Sequence, residues 1–438
     1  MSKKVKYNII LNGILKFISI CLQFVLIRET FWFLKSEEVF GVWMTILTLL
    51  GWFELVNLGI GNGLRNKITE IYYDIEKIKE YISTAYTIST IISAVVMILY
   101  LLFFRVINWQ LIFNTKSISH ESLNLLFSII IISYLAQMVF QLLNSICFAN
   151  QDAVYPSLFP VISNLIIIIF IFFLRLFKNT SEGNIILLGT IYGLTTLGVL
   201  FFANIFFFKT KYKRIKPQIS HINFKHSTSL MNTGIKFLIL QLCAAVIFTT
   251  DSIIITNLLG PVEVSKYQLV YKLFNVFNVI SMIIMTPLWS AFSLAYSKND
   301  YKWIKSVLMK LLYLMIPVII GIGVLALTCK KIIYVWMGTN INISYPLIII
   351  VALYTFGVVW SNVFSYILNG LNRINLQLSA MIFGAIINIP LSILFVEKYN
   401  FGICGVVAAS FISLLTYNVL APLETHLFIK KLISKNVY

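Results

Sequence analysis

The chain has 438 residues, of which 59% are hydrophobic and only 11% are charged, and its mean hydropathy is +0.90. Soluble globular domains carry about 25% charged residues, so this composition excludes a water-soluble protein and indicates a polytopic helical membrane protein. The net charge of +18 arises mostly from basic residues in short connections between apolar runs. That distribution indicates membrane topology and an anionic partner rather than a nucleic acid.

Twelve apolar runs follow one another in chain order, each close to the roughly 20 residues that span a bilayer as a helix. They predict an all-α protein with spans at about 8–28, 39–60, 82–104, 124–148, 155–174, 184–207, 233–258, 268–293, 307–328, 346–368, 375–396 and 402–425. The division that follows is an N-terminal six-helix bundle, a basic cytoplasmic linker and a C-terminal six-helix bundle: 1–208, 209–232 and 233–438.

The first hairpin, residues 12–65, carries charges inside apolar runs. Lys16 follows Lys6 by about 15 Å of helix, which places it near the middle of the bilayer. Glu54 in the second span should reach a similar depth, and Arg28 lies near the outer end of the first span. A charged residue at the centre of a span costs about 2.5–3.5 kcal/mol on insertion scales, so these side chains are expected to line a cavity rather than face lipid.

Two connections stand out, 61–81 and 208–232, and both lie on the side shared by the termini. That side holds most of the basic residues of the connections, which predicts that both termini are cytoplasmic. The first connection has apolar residues at near-helical spacing and predicts an amphipathic helix at the membrane surface. Asn62 and Arg65, at the exit of the first hairpin, are candidate cytoplasmic gate residues.

The two halves share short sequence matches in the same order. The segment 12–17 matches 232–237, since both read Asn-x-x-x-Lys-Phe, and the segment 143–145 resembles 368–370. Each half has six spans, an even number, so both halves enter the membrane from the same side. We therefore predict two six-helix parallel repeats around a central cleft.

The second half has its own intramembrane charges, Asp251 in the seventh span and Lys272 in the eighth. The intramembrane cations outnumber the acids, which favours an anionic substrate group such as a phosphate or diphosphate. The candidate substrate-binding cations are Lys16, Lys236, Arg28 and Lys272, and the candidate charge partners or coupling residues are Glu54 and Asp251. Two alternative roles remain for these residues. In the first, the cations near span ends extend to the membrane interface. In the second, Lys16–Glu54 and Asp251–Lys272 are ion pairs that only hold hairpins together.

The segment 37–70, EEVFGVWMTILTLLGWFELVNLGIGNGLRNKITE, resembles the first hairpin of the polysaccharide flippases, the Wzx-type O-antigen transporters. These belong to the multidrug/oligosaccharidyl-lipid/polysaccharide exporter superfamily. The segment 259–264, followed by Tyr267, resembles the corresponding loop of the second half. The resemblance covers the whole chain in topology, and its specific motif is mainly residues 37–70.

This resemblance implies a non-enzymatic transporter in the bacterial inner membrane that moves an undecaprenyl-diphosphate-linked oligosaccharide from the cytoplasmic to the outer leaflet. It implies alternating access by rocking of the two halves, with H⁺, Na⁺ or no coupling ion, and no metal or other cofactor. The expected partners are the lipid-linked glycan, a bilayer with anionic headgroups and a polysaccharide polymerase of the same pathway. The alternatives are a multidrug or small-cation antiporter of the same fold and, ranked below it, an O-antigen polymerase or ligase.

Overall fold

The computed structural model describes residues 3–53, 59–71, 74–104, 106–177, 185–225, 235–371 and 373–435. These residues form fifteen α-helices and no strand. In chain order they are α1 (Lys3–Leu34), α2 (Glu37–Phe53), α3 (Ile60–Glu70), α4 (Ile75–Phe103), α5 (Trp109–Ile112), α6 (His120–Phe140), α7 (Leu142–Ala149), α8 (Val154–Phe177), α9 (Ile185–Lys209), α10 (Ile235–Leu259), α11 (Pro261–Ser297), α12 (Tyr301–Met337), α13 (Tyr345–Gly370), α14 (Asn375–Glu397) and α15 (Gly402–Lys435).

Within these described ranges, eleven helical segments are long and apolar enough to cross a membrane, with α6 and α7 together forming one of them. The described part of α2 has 17 residues and lies at the second predicted span. Together with the eleven segments it brings the apolar helices at the predicted positions to twelve. The chain is therefore an all-α polytopic membrane protein, as the apolar runs predict. Several helices extend beyond the predicted spans, α11 and α12 to 37 residues each, because backbone hydrogen bonding continues past the apolar stretch.

Polar side chains set the start of several helices. Asp74, Ser119, Asp300 and Ser344 each accept a hydrogen bond from the backbone N–H three residues later, at the beginning of α4, α6, α12 and α13. Such caps satisfy one of the free N–H groups of the first helical turn and stabilise a helix by about 1 kcal/mol. They define where the connections end, a boundary that hydropathy alone places only within a few residues.

The chain divides into two units, Met1–Gln241 and Leu242–Tyr438. Equivalent spans pack together inside each unit: in unit 1, α6 contacts α4 and α9, and α8 contacts α9. In unit 2, α13 contacts α12 and α15, and α14 contacts α15. Three contacts between equivalent spans therefore recur in the two units, whereas the α1–α8 contact of unit 1 and the α11–α13 contact of unit 2 have no extensive counterpart among the described residues. The predicted boundaries of the bundles and linker, and the cleft between the halves, stay predictions.

The connection after α2 corrects the expectation of one surface helix over 61–81. It forms α3, which ends at Glu70, and the chain then turns before α4 begins at Ile75. Ile60, Leu64 and Ile68 on α3 are at most 1% exposed and pack in the core of unit 1 with residues of α4 and α7. The apolar stripe therefore faces protein rather than lipid, because a neighbouring helix pair competes with the membrane for the same surface.

The described part of the basic linker, residues 210–225, packs against α4. The Ser83 hydroxyl accepts a hydrogen bond from the backbone N–H of Gln218 at 3.0 Å, and the Thr84 hydroxyl accepts one from that of Asn223 at 3.0 Å. Lys211 Nζ lies 2.6 Å from Asp152 Oδ2 at the turn before α8. These contacts place the described linker residues within the structure of unit 1.

Close packing of α14 on α15 leads to a first prediction. A Cβ atom at Gly384 would lie 2.6 Å from the backbone oxygen of Ser413, so Gly384→Ala forces the two helices apart. Overpacking of this kind costs about 1–3 kcal/mol. We expect Gly384→Ala to lower the melting temperature of the detergent-purified protein.

Gly323→Ala on α12 is the matched control, since a Cβ atom there meets nothing within 4 Å. It should leave the melting temperature unchanged or raise it, because alanine is the better helix former by about 0.5–1 kcal/mol. Equal melting temperatures for the two variants would contradict the close approach of α14 and α15.

Candidate functional site

Lys16 lies in the middle of α1, roughly 20 Å of helix after Lys3. Its side chain is half-buried, and it forms no ion pair with any described residue. One turn earlier, Asn12 accepts a hydrogen bond from the hydroxyl of Ser157, which ties this face of α1 to α8. A cation at this depth in an apolar helix is costly unless it is paired, and Glu54, its predicted partner, lies outside the described residues.

Arg28 lies three turns further along α1 and is exposed. Its neighbour Glu29 forms an ion pair with Arg175 on α8, and that pair joins the two helices near their ends. Arg28 has no ion-pair partner among the described residues. The pair that joins α1 and α8 is thus Glu29–Arg175, which the sequence does not single out. Arg28 remains available to a ligand or a lipid headgroup.

Two candidate residues fall on parts of the chain whose placement is not described. Glu54 lies outside the described residues, between α2 and Gly59. Lys236 belongs to the first turn of α10, but its side chain lies outside the described part of the structure. The Lys16–Glu54 ion pair and the equivalence of Lys16 with Lys236 therefore stay predictions.

The candidate gate residues lie on α3. The side chain of Asn62 is outside the described part of the structure. Arg65 is exposed, and its guanidinium carbon lies 5.2 Å from the ring centroid of Phe148 on α7. A cation over an aromatic face at this distance is favourable by about 0.5–1 kcal/mol at an exposed site. Arg65 is thus held against the end of the fourth span, and its gating role stays a prediction.

The most extensive polar site among the described residues of unit 2 surrounds Asp251 on α10, which is 1% exposed. Its Oδ1 accepts a hydrogen bond from the hydroxyl of Ser410 on α15 at 2.6 Å, and its Oδ2 accepts one from the hydroxyl of Tyr267 on α11 at 3.1 Å. Asn388 on α14 donates to Ser410 at 2.9 Å and accepts from Thr250 at 3.3 Å. Four membrane helices therefore meet at one carboxyl group.

The alternative in which Asp251 and Lys272 form an ion pair is wrong. Both hydrogen-bond donors to Asp251 among the described residues are neutral hydroxyl groups, and Lys272, which is half-buried on α11, does not pair with it. Tyr267 is the residue on α11 that reaches Asp251. It precedes Lys272 by five positions, so the two side chains point to different sides of the helix. An anionic carboxylate in this site has no countercharge from the described residues, and such a group needs a proton or a bound cation to compensate it.

The sequence repeat extends to the surroundings of two asparagines. Asn144 on α7 and Asn369 at the end of α13 occupy matching positions of the 143–145 and 368–370 segments. Each has a buried side-chain oxygen with no hydrogen-bond partner among the described residues. A buried acceptor without a donor is costly, so the presence of two at equivalent positions marks these helix ends as polar sites of the repeat.

Comparison with known proteins identifies the family. A family model described as "Polysaccharide biosynthesis protein" matches residues 5–293, about two thirds of the chain. The chain belongs to this family. A second model, MatE, matches residues 238–394. This family member is 24% identical over 350 residues to the "Putative O-antigen transporter" of Salmonella typhi, with 78% of each chain covered. It is 22% identical over 409 residues to the "Putative O-antigen export protein" of Yersinia pseudotuberculosis, with 91% of each covered.

Solved structures show the same fold. An inward-facing multidrug resistance MATE transporter of the MOP superfamily aligns with a TM-score of 0.78 at 13% identity, covering 94% of this chain and 96% of that one. The lipid II flippase MurJ in an inward closed conformation aligns with a TM-score of 0.72 at 19% identity, covering 95% and 87%. This polysaccharide biosynthesis protein therefore has the fold of the multidrug/oligosaccharidyl-lipid/polysaccharide exporter superfamily.

Sequence reasoning missed most of the site in unit 2 of this family member. Asp251 stands out as a charge in an apolar run, but its partners Ser410 and Tyr267, and the residues linked to Ser410, Asn388 and Thr250, are neutral residues that occur in many membrane helices. The sequence signal available for Asn388 is its place two residues before Pro390 in an otherwise apolar helix. Helix packing brings these residues together, and no spacing along the chain predicts that packing.

Proposed function

We propose that this protein is a flippase, not an enzyme, that moves an undecaprenyl-diphosphate-linked oligosaccharide from the cytoplasmic to the outer leaflet of the bacterial cell membrane. Two observations carry the proposal. The chain matches the family, and it is similar to a protein named "Putative O-antigen transporter" and to one named "Putative O-antigen export protein", over 78% and 91% of their lengths. The fold shared with a lipid II flippase supports the same class of substrate. Transport proceeds by alternating access of the two halves.

The intramembrane cations recognise the diphosphate in this proposal. Lys16 is the main candidate because it is half-buried at mid-helix without an acidic partner among the described residues. Lysine binds phosphate as a point charge, and an intramembrane lysine without a partner has a strong preference for an anion. Lys236, Arg28 and Lys272 act with it along the path, and the lipid tail stays in the bilayer.

The carboxyl group of Asp251 couples transport to an ion gradient in this proposal. It is buried and meets only neutral donors, so binding of H⁺ or Na⁺ supplies the missing positive charge. The hydroxyl and amide oxygens of Ser410, Asn388 and Thr250 are within the same network and are the type of ligand that hard cations prefer. Occupation by the ion then changes the packing of four helices.

The remaining proposals concern topology and partners. Both termini are cytoplasmic, which is supported by the excess of basic residues in the connections on that side. Asn62 and Arg65 on α3 form the cytoplasmic gate, and a polysaccharide polymerase of the same pathway uses the exported unit. The cation–π contact of Arg65 with Phe148 provides a contact between α3 and α7 that opening would break.

Complementation tests the function directly. Expression of this chain in a strain that lacks its O-antigen flippase but retains the other glycan enzymes should restore surface polysaccharide, visible as a ladder on silver-stained gels. Lys236→Ala should reduce that ladder at equal protein level, because it removes a proposed phosphate contact. No restoration with glycans of several compositions, at normal protein level in the membrane, would count against the flippase assignment.

A multidrug or small-cation antiporter is the second candidate, favoured by the MatE match to residues 238–394 and by the MATE structural neighbour. Such a protein should raise resistance to cationic dyes when expressed in a strain lacking its own exporters. We expect no change in resistance, because the candidate site residues include four cations and two acids, the opposite of what a cationic substrate requires.

A further inference from the structure

A cavity of about 1100 Å³ lies in unit 2, near the C-terminal end of α15. Its walls come from the last turn of α11, the first turns of α14 and the second half of α15. Tyr296, Asn375 and Ser379 contribute to the lining, together with the charged residues Arg373 and Lys431. None of these residues belongs to the site around Asp251, and the transport proposal does not use them.

The charged residues that line this cavity, Arg373, Lys431 and Glu424, have a net charge of +1, and Oε2 of Glu424 is buried without a hydrogen-bond donor among the described residues. Its single acidic lining residue, Glu424, already accepts hydrogen bonds from Nε and Nη2 of Arg373 at 3.0 Å. The guanidinium of Arg373 also lies 4.4 Å from the ring centroid of Phe428, which holds it at the rim. Lys431 is exposed and has no ion-pair partner among the described residues, so its charge is available to a ligand.

The opposite wall is apolar and faces outward. Leu420, Leu423 and Leu427 lie on one face of α15 and are 40%, 55% and 64% exposed. They belong to a helix that is long and apolar enough to span a membrane, so we expect this face to meet lipid. The rise from Leu420 to Lys431 is roughly 16 Å, close to the ~15 Å of hydrocarbon in one leaflet. The cavity thus combines a basic mouth at the membrane surface with an apolar wall one leaflet deep.

We propose that this cavity binds an anionic phospholipid, with its phosphate at Arg373 and Lys431 and an acyl chain along Leu420, Leu423 and Leu427. Basic pockets between membrane helices recognise anionic headgroups in this way. A soluble phosphate compound would use the basic mouth but gain nothing from an apolar wall. The lipid would brace α11, α14 and α15 at one end of unit 2, whatever substrate the protein carries.

Lipid titration of the purified full-length protein tests this site. Phosphatidylglycerol added to the protein in a neutral detergent should raise its melting temperature, whereas phosphatidylcholine with the same acyl chains should not, because only the former carries a net charge. Native mass spectrometry should show one phosphatidylglycerol retained preferentially. Loss of one basic contact near the membrane surface weakens binding about fivefold, so Lys431→Gln should shift the titration midpoint by that factor.

Lys430→Gln is the matched control, since Lys430 is the exposed neighbour on α15 that does not line the cavity. Its midpoint should stay within about twofold of the wild type. Ser379→Phe fills the cavity without changing charge and should weaken phosphatidylglycerol binding while leaving the lipid-free melting temperature unchanged. If Ser379→Phe does not fold, the two lysine variants still decide the question.

Three results would overturn the proposal. Equal weakening by Lys430→Gln and Lys431→Gln would show surface electrostatics without a site. Equal stabilisation by phosphatidylcholine would remove the role of the basic mouth. Competition by inorganic phosphate or pyrophosphate at the same midpoint as phosphatidylglycerol would assign the cavity to a soluble anion.

Discussion

Replacing Lys16 by alanine is expected to reduce export of surface polysaccharide about 10- to 100-fold without reducing the amount of protein in the membrane. The reason is that a hydrogen bond to a charged group contributes about 1.5–3 kcal/mol, and 1.4 kcal/mol corresponds to a factor of ten. Lys16 is half-buried at the middle of α1, where it forms no ion pair with a described residue. Lys16→Arg keeps the charge and should retain part of the export.

The measurement compares surface glycan and membrane protein level in the same cells. Lys310→Ala is the matched control, because Lys310 is an exposed lysine on α12 and is not among the candidate site residues. It should export at the wild-type rate. Normal surface polysaccharide in Lys16→Ala cells at normal protein level would rule out Lys16 as a phosphate-binding residue.

Replacing Asp251 by asparagine is expected to remove the ion dependence of transport and lower its rate at least about tenfold, while the protein stays folded. Asparagine has the same shape and still accepts a hydrogen bond from Ser410 or Tyr267, but it cannot bind a proton or attract a cation. Asp251→Leu, in contrast, leaves both hydroxyl groups without an acceptor, at about 1–3 kcal/mol each. It should therefore lower the melting temperature, and Asp251→Asn should not.

Transport of a lipid-linked glycan into membrane vesicles, with Na⁺ varied at fixed pH and pH varied at fixed Na⁺, separates the two coupling ions. Asp300→Asn is the control, because Asp300 caps α12 outside the network and asparagine caps equally well. Wild-type rate and wild-type ion dependence in Asp251→Asn would exclude Asp251 as the coupling residue without affecting the flippase proposal.

Local sequence features predicted the membrane helices well because their formation is a local matter. About 20 apolar residues satisfy their own backbone hydrogen bonds and the hydrophobic core of a bilayer at the same time. Each predicted run therefore overlaps an observed helix, and residues 54–58 of the second run and 233–234 of the seventh lie outside the described residues. The short connection after α2 was predicted less well, since its apolar stripe marks a buried face but does not say whether lipid or protein covers it.

The partners of the candidate site residues could not be predicted for the same reason, because a local pattern does not show which groups lie next to it in the fold. Asp251 stands out by its charge alone, but the alternative partner Lys272 was wrong, and the observed partners Ser410 and Tyr267 lie on two other helices. Glu29 and Arg175 form an ion pair across 146 positions of sequence, which no local pattern contains. In each case the partner is chosen by which helix faces meet.

The opening stretch of the chain, residues 12–65, shows both what local sequence predicts and what only helix packing decides. The sequence by itself determined that a lysine lies deep in the first apolar run, and that a six-helix pattern recurs in the second half of this family member. Only the tertiary structure decided that Ser157 of α8 hydrogen-bonds to α1 one turn before Lys16, and that α3 packs on protein. The physical reason is that hydropathy acts along one segment, whereas the compensation of a buried charge depends on groups brought together by packing.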